Sequence, residues 1–247
     1  MNRFFVSKNC FHHDKVVLVG KDQTHQIRDV LRMSEGEHIT ILDNEGLEYD
    51  VALTRVRREE VVGQIMAKRP ASGEPMVQIT LFQSLLSRDK FELVLQKCTE
   101  VGVSAFVPVV TERSLVRDTA IKPEKFARWQ KIITEAAEQS HRGRIPHLSQ
   151  PVIFEQALSK LVDFDCRLIA WEKQGENLTE ALQLRDKNVP VAIALLIGPE
   201  GGFSQQETEL AKKSGAIPIT LGQRILRTET AAIVASALIL YELADSM

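Results

Sequence analysis

Short apolar runs separated by polar residues fill the first seventy positions of the chain. Five of these runs predict β-strands, namely Phe4–Val6, Val16–Val19, His38–Leu42, Tyr49–Val56 and Val61–Met66. The sequence DNEG at 43–46 lies between two of them and is typical of a hairpin turn. One helix is predicted at about Gln23–Met33. We therefore expect a small β-barrel domain over residues 1–72.

A change of pattern follows the segment 68–75, which holds two prolines and one glycine and reads as a linker. Beyond it the predicted strands are Val77–Leu86, Phe106–Val110, Arg167–Trp171, Val189–Ile197 and Ile217–Leu221. The predicted helices are Asp89–Val101, Pro123 to about Ser140, Ile153–Val162, Leu178–Leu184 and Ser204–Lys213. This alternation predicts an α/β domain over residues 73–247, with a mostly parallel sheet covered on both faces.

The last predicted helix, at about Thr228–Ala244, is apolar on every face between Ala231 and Tyr241. A helix of this kind must be buried on all sides. At the end of the sequence, such burial requires a deep position in the fold, a partner chain, or both.

Composition excludes several classes of protein. The chain has 247 residues with a formal net charge of −2, and 44% hydrophobic and 26% charged residues are ordinary for a globular protein. No apolar run is long enough to span a membrane, and no secretory signal is evident. Three scattered cysteines predict no disulfide framework, so we expect a cytoplasmic setting. Cys10, His12 and His13 match no standard zinc spacing, and no metal site is predicted.

The segment 197–207, IGPEGGFSQQE, is the sharpest local feature. An apolar strand ends in a loop whose three glycines allow a sharp turn and a close approach to a ligand. Ser204 and Glu207 then form the pattern of a capping box. Open α/β sheets bind ligands at this carboxyl edge. The pattern is neither GxGxxG nor a P-loop, and a plain strand-to-helix turn is the alternative.

The segment 221–231, LGQRILRTETA, also runs from a predicted strand into a helix. Ile225 and Leu226 are apolar residues in a polar loop, with Arg224 and Arg227 on either side. They either sandwich a flat ring or make ordinary core contacts. Two such loops at one sheet edge predict a composite pocket.

Basic residues concentrate between Arg113 and His147, where eight Lys/Arg stand against four Asp/Glu. Such a stretch is either a phosphate-contacting face or a solvated helix surface, and charge alone favours the second. Arg113 follows a predicted strand, so it either pairs with a glutamate to hold the loop, or it steers RNA or stabilises developing negative charge. Arg142 and Arg144 lie where a predicted helix ends, a place where the macrodipole also favours cations.

Four segments together resemble a known family: IGPEGGFS, LGQRILRTETA, QKCTEVGV followed by a proline and ERS, and AAEQSHRGRIP. They are similar to the small-subunit ribosomal RNA uridine-N3-methyltransferases of the SPOUT, or trefoil-knot, superfamily. The N-terminal FFV and the region from His25 to Gly36 resemble that family's PUA-like RNA-binding domain. The resemblance spans nearly the whole chain.

The resemblance implies a trefoil-knotted methyltransferase domain, S-adenosylmethionine as cofactor and a homodimer through the C-terminal helix. It implies a uridine of ribosomal RNA, free or in the small ribosomal subunit, as the substrate, and no membrane partner. By motif position, the implied cofactor-binding residues are Leu196, Ile197, Gly198, Gly201, Leu221, Gly222, Ile225, Leu226, Arg227, Thr230 and Ala231.

Catalytic roles follow from the chemistry of the implied reaction. The uracil N3 must lose a proton, for which Glu200 and Glu229 are the candidate bases, and the sequence does not choose between them. Arg113 is expected to stabilise negative charge on the uracil oxygens. The residues expected to hold RNA phosphates are Arg28, Arg32, Arg142 and Arg144, of which the first two sit four apart on one predicted helix and so on one face.

Two alternatives stay open. One is a SPOUT methyltransferase that acts on another RNA, such as a transfer RNA ribose, which the fold alone does not exclude. The other is an RNA-binding or ribosome-assembly protein that has lost activity, against which the intact GPEGG and LGxRILRxETA motifs argue. Binding of S-adenosylmethionine would separate an enzyme from a binding module.

Overall fold

A computed structural model describes residues 2–173, 175–182 and 192–244 of the chain. These residues form two compact units. The first unit contains the chain up to Glu74 together with Ala137–Ile145, and the second contains Pro75–Ala136 and the chain from Pro146 onwards. The sequence analysis placed residues 137–145 in the second domain. In the structure these residues belong to the first unit, where Arg142 forms an ion pair with Glu74.

The first unit is built on a six-stranded sheet in the order β1-β4-β5-β6-β3-β2. The strands are β1 (Arg3–Phe5), β2 (Phe11–His12), β3 (Lys15–Leu18), β4 (His38–Leu42), β5 (Leu47–Val56) and β6 (Val61–Pro70). All neighbours are antiparallel except β1 and β4. The five predicted strands are thus confirmed. Strand β6 runs three residues into the predicted linker, where Arg69 pairs with Glu48 of the neighbouring strand.

The predicted helix of the first unit is shorter than expected. Helix α1 (Lys21–His25) continues as a π-helical segment, Gln26–Val30, and a 3-10 turn precedes β2 at Lys8–Cys10. Arg32 lies beyond the helical residues, with a φ of 53°. The prediction that Arg28 and Arg32 share one helix face is therefore wrong, because the helix ends between them.

The second unit is an α/β structure whose described strand pairs are all parallel. Its strands are β7 (Gln78–Ser84), β8 (Ala105–Val110), β9 (His147–Leu148), β10 (Val152–Ile153), β11 (Cys166–Ala170), β12 (Glu176–Asn177), β13 (Ala192–Ile197) and β14 (Ile217–Thr220). Its helices are α2 (Arg88–Val101), α3 (Pro123–Gln139, whose last residues belong to the first unit), α4 (Phe154–Ser159, then a 3-10 turn at Lys160–Asp163), α5 (Leu178–Leu182), α6 (Gln205–Lys213) and α7 (Thr228–Ala244). The predicted strands and helices are confirmed, except that residues 183–184 and 189–191 lie outside the described residues.

The sheet order shows how the chain is threaded. The strands follow the order β10-β8-β7-β13-β11-β14-β12, so β14 lies between β11 and β12, which are consecutive along the chain. The segment that joins β11 to β12 must therefore cross the later strand. A Cβ at Gly175 would lie 2.6 Å from the carbonyl carbon of Ile219 and 2.8 Å from the nitrogen of Thr220. This backbone crossing is part of a trefoil knot.

Helix α7 packs against α2, α5 and the central strands β7 and β13. Its other side carries Thr230, Val234, Leu238 and Tyr241 at helical spacing, and Leu238 and Tyr241 are 41% and 67% exposed. The helix is therefore not buried on all sides within one chain. No described helix has the length and apolar character needed to cross a bilayer.

The backbone crossing at Gly175 generates a prediction about stability. We expect Gly175→Ala to lower the unfolding midpoint by roughly 2–12 °C, because overpacking costs about 1–3 kcal/mol and each kcal/mol shifts the midpoint of a chain of this size by about 2–4 °C. Differential scanning calorimetry measures the shift.

Gly20→Ala is the matched control, because a Cβ at Gly20 meets nothing within 4 Å and its φ is −76°. Equal midpoints for wild type and Gly175→Ala would show that the crossing is looser than the structure has it.

Candidate functional site

A pocket of about 480 Å³ opens at the carboxyl edge of the parallel sheet of the second unit. Three loops line it, and they follow the neighbouring strands β11, β13 and β14. Its size is typical of small-molecule sites. The predicted cofactor-binding residues that line the pocket are Ile197, Gly198, Gly201, Leu221, Gly222, Ile225, Leu226, Arg227 and Ala231. Leu196 does not line it because its side chain is buried in the sheet, and Thr230 lies on the exposed side of α7.

The loop after β13 is held by the predicted capping box at the start of α6. The Ser204 hydroxyl accepts a hydrogen bond from the Glu207 N–H, and the Glu207 carboxylate accepts one from the Ser204 N–H. The second carboxylate oxygen of Glu207 accepts the N–H of Glu112 at 2.8 Å. The capping box therefore also fixes the turn that carries Arg113.

A second set of buried hydrogen bonds joins three elements beneath the pocket. The Thr228 hydroxyl donates to the carbonyl of Gly198, and the Gln83 side-chain amide donates to the Thr228 hydroxyl at 3.2 Å. Strand β7, the loop after β13 and the start of α7 are thus tied together. Gly198 is tightly packed, because a Cβ there would lie 3.1 Å from the Phe203 nitrogen and the loop would have to shift by a few tenths of an ångström to admit it.

The loop after β14 presents apolar side chains to the pocket. Ile225 is 83% exposed and Leu226 is half-buried, so ordinary core packing does not account for Ile225. Arg224 and Arg227 are exposed on the same loop. Gly222 has a φ of 107°, which favours glycine at this turn. The exposed Ile225 is available to cover a flat ring.

The two candidate bases have different surroundings. The Glu200 carboxylate lies 3.0 Å from the ammonium of Lys90, in a half-exposed ion pair. One oxygen of Glu229, Oε2, is buried and has no hydrogen-bond partner among the described residues. Both residues line the pocket. Of the two candidate bases, Glu229 is therefore the one whose carboxylate forms no ion pair among the described residues.

Arg113 does not line the pocket, and its side chain instead contacts the glycine loop that follows β13. Its guanidinium donates to the carbonyl of Gly201 at 2.9 Å. A Cβ at Gly201 would lie 3.4 Å from the Cβ of Arg113, so the arginine stem packs directly against this glycine. The partner of Arg113 is thus a backbone carbonyl and not the glutamate that the sequence suggested.

The sequence analysis missed several pocket residues, among them Lys90, Trp171 and Glu172. The last two follow β11 directly, so a loop at the same sheet edge was the signal that could have found them. The indole Nε1 of Trp171 is buried and has no hydrogen-bond partner in the described part of the chain. Lys90 comes from helix α2, and no sequence motif links it to the glycine loop.

The arginines expected to bind RNA differ in their ion pairs and in their exposure to solvent. Arg28 forms two hydrogen bonds of 2.6 Å with Asp29, and its guanidinium, with His25, holds the pKa of that carboxyl at about 2. Arg32 and Arg144 are exposed. Arg28 is thus largely neutralised by its neighbour, whereas Arg32 and Arg144 are exposed and their guanidinium groups pair with no carboxylate among the described residues, although that of Arg144 donates to the carbonyl of Glu45 at 3.1 Å.

Arg142 is 2% exposed and occupies the interior of the first unit. Its guanidinium binds the carboxylate of Glu74, which also accepts the N–H groups of Gly143 and Arg144 at 3.0 and 3.1 Å. A side chain buried in this way cannot reach a phosphate. The structure therefore removes Arg142 from the expected RNA-binding residues.

Comparison with known proteins gives consistent similarities. Residues 73–240 match the sequence model of the RNA methyltransferase domain family. Ribosomal RNA small subunit methyltransferase E of Bacillus subtilis is 34% identical over 250 residues, which cover 98% of this chain and 97% of that protein. The protein of the same name from Synechocystis is 34% identical over 215 residues, covering 87% of this chain and 69% of that protein.

A solved structure shares the whole fold. The crystal structure of a ribosomal RNA small subunit methyltransferase E from Neisseria gonorrhoeae, bound to S-adenosyl methionine, matches with a TM-score of 0.88 and 33% identity. The match covers 100% of both chains.

The different surroundings of Arg142 and Arg144 predict that replacement by alanine lowers the stability of the protein at the first position and leaves it nearly unchanged at the second. Arg142→Ala should lower the free energy of unfolding by about 1–3 kcal/mol, less than a fully buried pair because Glu74 is partly exposed. Arg144→Ala should change stability by less than about 0.5 kcal/mol. Urea unfolding of the two variants measures both values, and equal stabilities would contradict the assignment of Arg142 to the interior.

Proposed function

This chain belongs to the RNA methyltransferase family that contains the ribosomal RNA small subunit methyltransferases E, and from this premise we propose that it methylates N3 of a specific uridine in small-subunit ribosomal RNA. The predicted fold class, a trefoil-knotted SPOUT domain with a PUA-like β-barrel before it in the sequence, is confirmed. Methylation of RNA with S-adenosylmethionine is the activity of the family. The uridine, its N3 position and a cytoplasmic location belong to our proposal.

The pocket fits S-adenosylmethionine. Glycines leave backbone groups accessible in the loops after β13 and β14, Ile225 and Leu226 supply apolar surface for the adenine, and the buried Trp171 N–H is a donor in need of an acceptor. When bound, this cofactor supplies a methyl group that its sulfonium already activates. The chain's own residues then have to orient two reactants and remove one proton.

Glu229 is the proton acceptor in our proposal. The N3 nitrogen of uracil is an imide and becomes a good nucleophile only when its proton leaves. Glu229 lines the pocket and its Oε2 has no hydrogen-bond partner among the described residues, which is the observation that carries the proposal. Glu200 is held by the ammonium of Lys90, so its carboxylate is engaged before any substrate arrives. Arg113 acts through the Gly201 carbonyl and positions the loop.

The target uridine must leave its stack to reach a base-sized pocket. We propose that Arg32 and Arg144 contact phosphates of the RNA around it, because both are exposed. Arg28 contributes less, since Asp29 already neutralises it. Two alternatives remain, namely a methyltransferase that acts on another RNA and an inactive RNA-binding protein. Formation of N3-methyluridine in the substrate assay described below would exclude both.

We also propose that the protein is a homodimer through α7. The apolar stripe of Val234, Leu238 and Tyr241 on the open side of this helix carries no charged residue, and Ala237 adds a small side chain to it. A second copy of the same stripe is self-complementary, which is the condition for a twofold interface.

The substrate and the base are tested together. We expect the wild-type protein to form N3-methyluridine in small-subunit ribosomal RNA, as detected by nucleoside mass spectrometry. Glu229→Gln should reduce kcat by about 100-fold or more, because it removes the base. The affinity for S-adenosylmethionine, measured by calorimetry, should stay within a few fold and thereby shows that the variant is folded. Loss of the acidic limb of the pH–rate profile in Glu200→Gln, with that limb retained in Glu229→Gln, would transfer the role of base to Glu200.

The dimer is tested by placing a charge on the stripe. Sedimentation equilibrium should give a mass near twice 27.8 kDa for the wild type and near 27.8 kDa for Leu238→Glu, because an unpaired carboxylate cannot be buried in the interface. Leu210→Glu is the matched control, since Leu210 is 42% exposed on α6. A wild-type monomer at micromolar concentration rules out the dimer.

A further inference from the structure

Lys90 is a pocket residue that neither motif of the sequence contains. It lies in the first turn of α2, and its ammonium is 3.0 Å from a carboxylate oxygen of Glu200 in the glycine loop. A cation in the first turn of a helix faces the positive end of the macrodipole, which disfavours it there. The macrodipole therefore does not favour a cation here, and the contact that the structure does show for the ammonium is the one with Glu200.

The other cations near the pocket are placed differently. The guanidinium of Arg113 is engaged by the Gly201 carbonyl and does not line the pocket. Arg224 and Arg227 line it from the loop after β14, where both are exposed. Lys90 differs from these arginines because its ammonium pairs with a carboxylate of the glycine loop, that of Glu200. An ammonium has three N–H donors, of which Glu200 takes one.

We propose that Lys90 is a catalytic residue whose ammonium contacts the target uracil and stabilises the negative charge that spreads onto a carbonyl oxygen as N3 loses its proton. The inference rests on the proposed function and assigns the charge-stabilising role, expected for Arg113, to a different residue. A fixed cation aimed at a developing oxyanion stabilises the transition state more than the ground state.

The step balances with groups already named. The imide proton passes from N3 to the Glu229 carboxylate. The N3 lone pair forms the new bond to the methyl carbon, and the electron pair of the broken carbon–sulfur bond stays on sulfur, which becomes neutral. Lys90 keeps its proton throughout. Glu200 holds the Lys90 ammonium at the pocket, which gives this carboxylate a positioning role.

The experiment compares Lys90→Met and Lys90→Arg with the wild type on two RNAs, one with uridine and one with 5-fluorouridine at the target position. The fluorinated base has a more acidic N3–H, so it needs less help to ionise. With uridine at neutral pH, Lys90→Met should lower kcat by about 100-fold, the typical effect of losing one oxyanion donor, whereas Lys90→Arg should retain more activity because it keeps the charge. The deficit of Lys90→Met should shrink at higher pH and with 5-fluorouridine.

Lys97→Met is the matched control. Lys97 lies on the same helix and forms a similar ion pair with Glu100 at 2.8 Å, but it does not line the pocket, so kcat should not change. The affinity of Lys90→Met for S-adenosylmethionine should equal that of the wild type, which shows that the fold and the cofactor site are intact.

The outcomes separate this inference from the function on which it rests. A loss of kcat in Lys90→Met that is the same at every pH and with both RNAs would assign Lys90 a structural role and overturn the inference while the proposed function stands. Unchanged kcat in Lys90→Met would overturn it as well. If the wild-type protein forms no N3-methyluridine, the proposed function fails and the inference fails with it.

Discussion

The crossing of the segment after β11 over strand β14 is the constraint on which the functional site depends. It brings the backbone of Gly175 against Ile219 and Thr220 so closely that a single additional carbon atom does not fit. Because β14 is inserted beside β11, the strands β13, β11 and β14 become neighbours in the sheet. Their three following loops meet at one edge, although about fifty residues separate the first loop from the last. The knot thus builds the pocket from distant parts of the sequence.

Hydrogen bonds then fix the loops before any ligand binds. The capping box of Ser204 and Glu207 reaches the turn at Glu112, and Thr228 links Gly198 to Gln83. Preorganised loops of this kind lower the cost of orienting reactants, which is the main demand of a transfer from an already activated methyl donor. The remaining chemistry is electrostatic. Of the two candidate bases, Glu229 has a carboxylate oxygen without a partner among the described residues and Glu200 is held by an ammonium. This difference is the basis for assigning the proton to Glu229 and the developing charge to Lys90.

In the first unit, two arginines that are close in the sequence do not form one basic surface. Arg142 and Arg144 are two residues apart, yet Arg142 is buried against Glu74 and Arg144 is exposed. The Glu74 carboxylate also caps the N–H groups of the turn that follows α3. A buried guanidinium with this many partners stabilises the unit, because leaving any member unpaired would carry the full cost of desolvation. Of these two arginines, the exposed Arg144 is therefore the one that our proposal places against RNA phosphates.

The sequence by itself determined the elements and the glycine loops, because period-2 and period-3.6 patterns, capping boxes and turn glycines are local properties of the chain. The five strands of the α/β part and the capping box at Ser204 were predicted in this way and are confirmed. Tertiary structure alone decided which side chains meet. It brought Lys90 from a separate helix to Glu200, buried Arg142, ended the helix before Arg32 and distinguished Glu229 from Glu200. The contact of Lys90 with Glu200 and the burial of Arg142 depend on partners distant in sequence, which no local pattern encodes.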